Sequence, residues 1–483
     1  MTIKSIKEAV DFLYSFIDYE RIIAKEKPAL SLESFAKLLE HFDNPHKKFK
    51  SIHIAGTKGK GSVTAFLSNI FFKSGLKTGM FISPHIYKIN ERIRTNNNDI
   101  PDEDFVRIIN KIKIFLDLNK EKPRLSYRTT FELLTLCAFL YFSESNLDIA
   151  VIETGMGGRF DTTNVVTPLV SIITTIGIDH TFYLGDTIEQ IAREKAGIIK
   201  NNVPVIVSPQ DKNIENLLKE IAQEKSAPCY LVSEFTQLIG RKTSRNKQIV
   251  SCKVFEKIYN DIEIPLIGTH QCTNILTVLT AIEILKQNIF KSPLDNVCSP
   301  HFSGKVKVRS PHFNGKFSHL LKQVLQTNSI KEGIKTTQWE GRIEILQSSA
   351  PSPYPPAPIF IVDGAHCPLS AKALSETIQE VFNPKRITLI LGVLQDKDLD
   401  AIIKNFIVEG IDYKFIAVPV DTPRGMKADK VTEIAKKYFT EIYQCENIKD
   451  AITKALEITN KNALIIAFGS IYNIAPIKKS FNE

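Results

Sequence analysis

"IHIAGTKGKGSVTAF", Ile52 to Phe66, runs from an apolar, β-type segment through three closely spaced glycines and two lysines into a helix-like pattern. The generic phosphate-loop spelling places four residues between its first glycine and Gly-Lys, whereas only Thr57 and Lys58 separate Gly56 from Gly59. The spelling fails, but the physics of the turn does not. Val63, Phe66, Leu67, Ile70 and Phe71 recur at helical spacing, which predicts a helix beginning near Lys60. Free backbone N–H groups at that start, glycines that let the backbone approach an anion and the charge of Lys60 together suit a phosphate. A strand-to-helix turn with no ligand would read the same way, so the stretch decides the fold before it decides the function.

Outward from it, "SIHIAG", "TGMFIS", "LDIAVIE", "LVSIITTI" and "VPVIVS" alternate with helix-length amphipathic segments from about residue 49 to 290. Short, nearly continuous apolar runs of this kind suit parallel strands covered on both faces. The rhythm resumes after residue 357 with "PIFIVDGA", "ITLILGVL", "KFIAVPV" and "ALIIAFGS". The expected fold class is therefore α/β: a P-loop-type, mostly parallel sheet over residues 1–336, then a smaller Rossmann-like α/β unit over 337–483. A basic stretch at about 295–330 without sustained periodicity reads as a solvated insertion, and "SSAPSPYPPAP" as a surface loop. No repeat of fixed period is present.

The bulk composition narrows the function classes. A chain of 483 residues with 43% hydrophobic content exceeds one ordinary core, so two domains or three are expected. No apolar run approaches the roughly 18 residues that suggest a membrane span, and the N-terminus lacks the layout of a secretory signal, so a cytoplasmic protein without membrane association is expected. Seven scattered cysteines never form Cys-x-x-Cys, which argues against a disulfide framework and a thiolate zinc site. A net charge of +9 favours anionic partners, nucleotide phosphates and polycarboxylates as well as nucleic acid; no aromatic-and-basic stripe is present, so a nucleic-acid role would rest on net charge alone and none is expected.

Ligands in open parallel sheets sit at the carboxyl ends of strands. Three apolar runs end in candidate ligand groups: Glu153 opens "ETGMGGRFDTTN", Asp179 and His180 close "IGIDH", and Ser83 and His85 close "FISPH". Singly, each has an ordinary alternative as a loop-ordering carboxylate, an interior histidine or a helix cap.

The combination resembles the folylpolyglutamate synthase and bifunctional dihydrofolate synthase/folylpolyglutamate synthase family of the Mur ligase superfamily. The resemblance runs in order through "GTKGKGS", "SPH", "TTFE", "ETGMGGRFDTTN", "IGIDH", "REKAGIIK", "HQCTN", "WEGR", "DGAH", "GVLQDKD", "PRG" and "FGSIY". The short glycine spacing is the one this family uses. The resemblance implies Mur ligase architecture and ATP phosphates held by Gly59, Lys60, Gly61 and Ser62. It implies nucleotide contacts from Asn274, Arg342 and Asp363, and Mg²⁺ on Ser83, Glu153 and His180, directly or through water. Two magnesium ions are expected, the second on Lys195 if that lysine is carbamylated, and a monovalent cation is left open. Thr129, Thr130, Phe131, Glu132, Gly158 and Arg159 are implied for the pterin-bearing substrate, and Ser470 and His366 for glutamate or phosphate; Lys60, Lys195 and His366 are the expected catalytic groups. On residue chemistry alone, Lys195 could be an exposed helix-end charge, Arg159 a bridge between loops and Phe131 a core residue.

Two positions depart from the family spelling: Cys367 follows "DGAH" where Asn or Thr is common, and Glu340 replaces the proline of "WPGR". A thiol is a poor substitute for an amide or hydroxyl in hydrogen bonding. The implied reaction adds L-glutamate to the γ-carboxyl of a folate through an acyl phosphate, in a monomer acting on small molecules, with glutamylation of dihydropteroate left open. The rival readings are a Mur-type ligase of cell-wall precursors, a P-loop ATPase or kinase without an amide product, and a non-catalytic nucleotide-binding module.

Overall fold

The computed structural model describes residues 2–22, 31–122, 128–290, 320, 321, 323–346 and 358–482. Most of the basic stretch and nearly all of "SSAPSPYPPAP" lie outside the described residues.

The expected strands form. Those of the first sheet are β1 (Lys50–Ala55), β2 (Thr78–Phe81), β3 (Ile93–Thr95), β4 (Asn98–Asp99), β5 (Ile149–Glu153), β6 (Val170–Ile173), β7 (Val205–Val207) and β8 (Cys229–Leu231). Among the described residues they lie in the order β4-β3-β2-β5-β1-β6-β7-β8, parallel except at β3 and β4. Alternate residues feed two cores. Ile52, Ile54, Ile149 and Val151 join Phe66 and Phe71 on one face, while Ala150 and Ile152 join Phe81 and Phe139 on the other. Burying each such phenylalanine is worth about 1.5–3 kcal/mol, and polar substitutions on either face would be costly.

The helix Lys60–Lys73 begins where the spacing predicts and is buried from Ser62 to Phe71. Helix Thr327–Lys335 crosses it at Gly333, where a Cβ would stand 2.5 Å from Ile70 Cα. That packing corrects the reading of residues 295–330 as a solvated insertion over its full length. Leu321, Leu325 and Ile330 belong to the main core, because a few well-placed apolar side chains outweigh a basic average.

A three-stranded antiparallel sheet was not among the expected strands: β9 (Thr236–Thr243), β10 (Gln248–Val254) and β11 (Lys257–Ile264), in the order β11-β10-β9. Its residues alternate buried and half-exposed along β10, so it offers no continuous apolar run. It contributes Val250, Cys252, Val254 and Tyr259 to the main core.

The second sheet contains β12 (Glu344–Leu346), β13 (Ile359–Val362), β14 (Arg386–Leu391), β15 (Asp412–Ala417), β16 (Glu441–Gln444) and β17 (Leu464–Phe468). Their order is β12-β13-β17-β14-β15-β16, parallel except at β12. The connecting segment passes from one core to the other within a few residues: Trp339 packs on the first, Ile343 belongs to the second. Among the described residues no helix is long and apolar enough to cross a membrane.

Candidate active site

In the first sheet β1 lies between β5 and β6, so the chain reverses direction of winding beside it, and ligands are favoured at such a crevice. The segments that follow β1, β2, β5 and β6 face those that follow β13 and β17 across one cleft of about 600 Å³. Two sheets thus point their strand ends at a shared space.

The loop after β1 is shaped by its glycines. Gly59 takes φ +91° as the N-cap of Lys60–Lys73, and a Cβ there would lie 2.4 Å from Asn274 Oδ1. A Cβ on Gly61 would lie 2.8 Å from the Trp339 ring. The N–H groups of Thr57 and Lys58 both donate to Thr175 O at 3.0 Å, tying the loop to the end of β6. The unsatisfied N–H groups of the helix start therefore open into the cleft beside Lys60.

Lys60 Nζ lies 3.7 Å from Glu153 Oε1. Glu153 is buried, which pushes its carboxyl up to about 7 against the pull of Lys60 and Arg342, and its Oε2 has no hydrogen-bond partner among the described residues. An orphaned buried carboxylate oxygen invites a cation. Ser83 and His180 line the same cleft. Burial lowers the His180 ring to about 3, so it is neutral and available as a ligand. Lys195 is not an exposed helix-end charge. It is 4% exposed, its Nζ donates to Gly56 O at 2.8 Å, and burial followed by the nearby Lys60 charge lowers it to about 7.

The second domain contributes Arg342, Asp363, His366 and Ser470 to the lining. Asp363 accepts from Ile343 N at 2.8 Å and Ala365 N at 2.7 Å, so its carboxylate organises the turn that carries Arg342. Ser470 is buried and its hydroxyl accepts from Tyr472 N at 3.3 Å. At Cys367 the hydrogen bonding is shared with Ser370, whose Oγ accepts from both His366 N and Cys367 N at 3.1 Å while the thiol completes a capping box at the start of helix Pro368–Phe382.

The structure adds an interdomain charge cluster around Asp179. Lys397 Nζ lies 2.6 Å from Asp179 Oδ1, Lys58 Nζ 3.6 Å from Oδ2, and His366 Nε2 3.7 Å from Oδ2. Burial alone would raise the Asp179 pKa; Lys58 and its neighbours outweigh that and hold it well below the usual carboxylate range. His366 Nδ1 faces Gly364 O at 2.7 Å, and because a carbonyl only accepts, the proton sits on Nδ1. Nε2 is then free to accept from Lys58 Nζ at 3.0 Å. Lys58 and Lys397 were missed as site residues. Their sequence signal was present, in the glycine loop and in "GVLQDKD" after β14, but nothing local distinguishes these lysines from solvated ones.

The remaining expected residues do not reach the cleft lining. Thr129 and Glu132 form a capping box on helix Thr130–Glu144, and the Thr130 hydroxyl donates to Leu13 O at 2.9 Å. Phe131 packs under Gly155, where a Cβ would lie 2.5 Å from its ring. Gly158 allows close approach to Lys195 O, and Arg159 is half-exposed, 3.6 Å from the Glu194 carboxylate. Of these, Phe131 through Gly155 and Gly158 through Lys195 stand directly behind residues that line the cleft.

Residues 54–282 match the Mur ligase middle domain and residues 341–471 the Mur ligase glutamate ligase domain. The chain is 32% identical to the dihydrofolate synthase/folylpolyglutamate synthase of Bacillus subtilis, over 94% of this chain and 95% of that one. The crystal structure of a folylpolyglutamate synthase from Thermotoga maritima superposes with a TM-score of 0.75 at 30% identity, covering 98% and 96% of the two chains. That of Mycobacterium tuberculosis, complexed with ADP, superposes with a TM-score of 0.81 at 25% identity, covering 99% and 98%.

Proposed function

This chain belongs to the dihydrofolate synthase/folylpolyglutamate synthase family of Mur ligases, and from that premise we propose that it is an ATP-dependent ligase joining L-glutamate to a folate carboxylate. The observation that carries the reading is the cleft itself, where the 56–62 loop and Glu153 of one sheet face Asp363, His366 and Ser470 of the other. The cell-wall alternative is not favoured, because relatives matched along nearly their full length are folate enzymes.

A carboxylate is a poor electrophile, so the γ-phosphoryl group of ATP is transferred to a substrate carboxylate oxygen, giving ADP and an acyl phosphate. The ammonium group of glutamate loses one proton to become the attacking amine, its nitrogen bonds to the acyl carbon, phosphate leaves with the former carboxylate oxygen, and the nitrogen loses a second proton and keeps the third as the amide N–H. The protein contributes alignment and charge neutralisation. The helix start at Lys60 and the Lys60 ammonium hold phosphate oxygens, with Ser62, Asn274 and Arg342 around them. Arg342 offers a bidentate fork from the second domain. Lys58 and Lys397, held by Asp179 between the domains, supply positive charge where an acidic amino acid would enter, and neutral His366 orients Lys58.

The donors fit Mg²⁺: Glu153 Oε2 is buried without a hydrogen-bond partner among the described residues, Ser83 and His180 line the same cleft, and a hydrated ion needs few protein ligands. Glu153, with its orphaned oxygen, Ser83 and His180 would hold one ion, and a carbamylated Lys195 a second. When bound, such ions neutralise phosphate charge and polarise the transferred group. Phe131 and Gly155 support the wall on which a pterin ring would rest.

The test is a paired assay of dihydropteroate and tetrahydrofolate with ATP, Mg²⁺ and glutamate. The expected result is glutamate-dependent ADP release and a lengthened γ-glutamyl product from tetrahydrofolate, while the dihydropteroate arm decides the second activity. No amide product from either overturns the assignment, and ADP release without product would favour a simple ATPase.

A further inference from the structure

Lys478 lies on helix Ile474–Asn482 and falls in none of the motifs that mark the site. Its Nζ donates to Glu340 Oε2 at 2.6 Å and to Glu344 Oε1 at 2.7 Å. These two carboxylates flank Gly341, Arg342 and Ile343, the turn that carries the Arg342 guanidinium to the cleft. The turn is strained. Gly341 has φ +66° and Ile343 φ +50°, and a β-branched residue in the left-handed region costs about 1–3 kcal/mol. Such a conformation persists only where its surroundings over-determine it.

Three ties do so from within the turn and its neighbour: Gly341 N to Glu344 Oε2 at 3.0 Å, Ile343 N to Asp363 Oδ2 at 2.8 Å, and Gly364 N to Gly341 O at 2.9 Å. Lys478 adds the tie that spans both sides of Arg342. Burial works against its charge, and the two glutamates more than offset this, holding the ammonium above the ordinary lysine range. Glu340 is shared with the first domain, since Tyr87 Oη donates to the same Oε2 at 2.9 Å. Glu340 is also the residue that departs from the "WPGR" spelling.

We propose that Lys478 is a positioning residue for the nucleotide, stapling the strained 340–344 turn so that Arg342 meets a phosphate from a fixed place. The proposal rests on the reading of Arg342 as a nucleotide contact. Without the ammonium, among the described residues Glu340 keeps only Tyr87 Oη and Glu344 only Gly341 N, so the turn loses the tie that joins its two sides and Arg342 its fixed place.

The experiment measures AMPPCP affinity by calorimetry, and steady-state kinetics, on the full chain for K478M, K478R, R342A and K478M/R342A. K478M keeps the apolar stem and removes the charge. Its expected effect is AMPPCP affinity and KM for ATP each weakened about 5–10-fold with kcat within about twofold, the pattern of lost uniform binding. K478R restores affinity, and K478M adds nothing in the R342A background, because the two act as one unit. Unchanged affinity in K478M, failure of arginine to rescue it, or an equal loss with and without Arg342 overturns the proposal. Calorimetry needs neither folate nor glutamate, so a failed ligase assay leaves this result readable on its own.

Discussion

Replacing Gly59 by alanine separates backbone strain from crowding if Gly75 is replaced in parallel. Both glycines sit in the left-handed region, at φ +91° and +86°, but a Cβ on Gly75 meets nothing within 4 Å whereas one on Gly59 comes within 2.4 Å of Asn274 Oδ1. The left-handed backbone costs an alanine about 1–2 kcal/mol at either position. At Gly59 the Asn274 amide must also retreat by about an ångström to reach ordinary contact. Asn274 is buried and its Nδ2 donates to Gln271 Oε1 at 2.9 Å, so retreat strands a buried polar group at about 1–3 kcal/mol more. The totals are about 1–2 kcal/mol for Gly75→Ala and about 2–5 kcal/mol for Gly59→Ala. A domain of 150–250 residues loses about 2–4 °C of melting midpoint per kcal/mol. The loop has a second way out: it can rotate to a relaxed φ, which spares stability but swings its N–H groups off the phosphates. Each 1.4 kcal/mol diverted this way weakens nucleotide binding about tenfold. Thermal scans and AMPPCP calorimetry on both variants therefore share one ledger. A Gly59→Ala protein that melts no lower than Gly75→Ala and binds AMPPCP as the wild type does would refute both the strain argument and the cradle.

Three further outcomes follow from other contacts. His53 is fully buried, its Nδ1 lacks a partner among the described residues, and burial pushes the ring from 6.5 to about 3. The unfolded chain takes up a proton that the folded state refuses, so this contribution is whole above pH 6.5 and is lost as pH falls toward 3, the loss reaching about 1.4 kcal/mol by pH 5.5. Melting midpoints of wild type and His53→Gln between pH 7 and 5 should show the steeper decline in the wild type, and parallel slopes would sink the account. Gly61→Ala drives a methyl group to 2.8 Å from the Trp339 ring, the only tryptophan in the chain. Overpacking of about 1–3 kcal/mol is partly offset by about 1 kcal/mol of helix propensity, and the shifted indole should change its emission maximum; unaltered emission and quenching would contradict the contact. Incubation with ¹³C-bicarbonate should give a carbamate resonance in the wild type that disappears in Lys195→Gln, and a signal that survives the substitution would assign the carbamate elsewhere.

Much of the fold was legible in short windows. The strand runs that lead to Ser83, Glu153 and His180 are apolar because parallel strands are buried on both faces, although β6 ends at Ile173, seven residues before His180, and the glycine turn announces itself by chemistry within a few residues. What escaped reading was of two kinds. Strands β9 to β11 mix polar and apolar residues, so they never form the continuous run that marks a doubly covered strand. "TTFE" carries polar side chains that suit a ligand, and the cap that its Thr129 and Glu132 form on a helix went unread beside that. A capping box and a binding motif draw on the same residue types.

The sequence by itself determined the α/β class, the anion-binding turn and the strand ends from which ligands would project, because periodicity and turn chemistry act over a few neighbouring residues. Tertiary structure alone decided that Asp179 and Lys397, 218 positions apart, share a hydrogen bond. It also decided that Lys195 is buried and depressed in pKa, and that Lys478 braces the turn of Arg342. Those facts depend on how two sheets abut across a cleft, where desolvation and the sum of distant charges set each group's state, and no local window contains them.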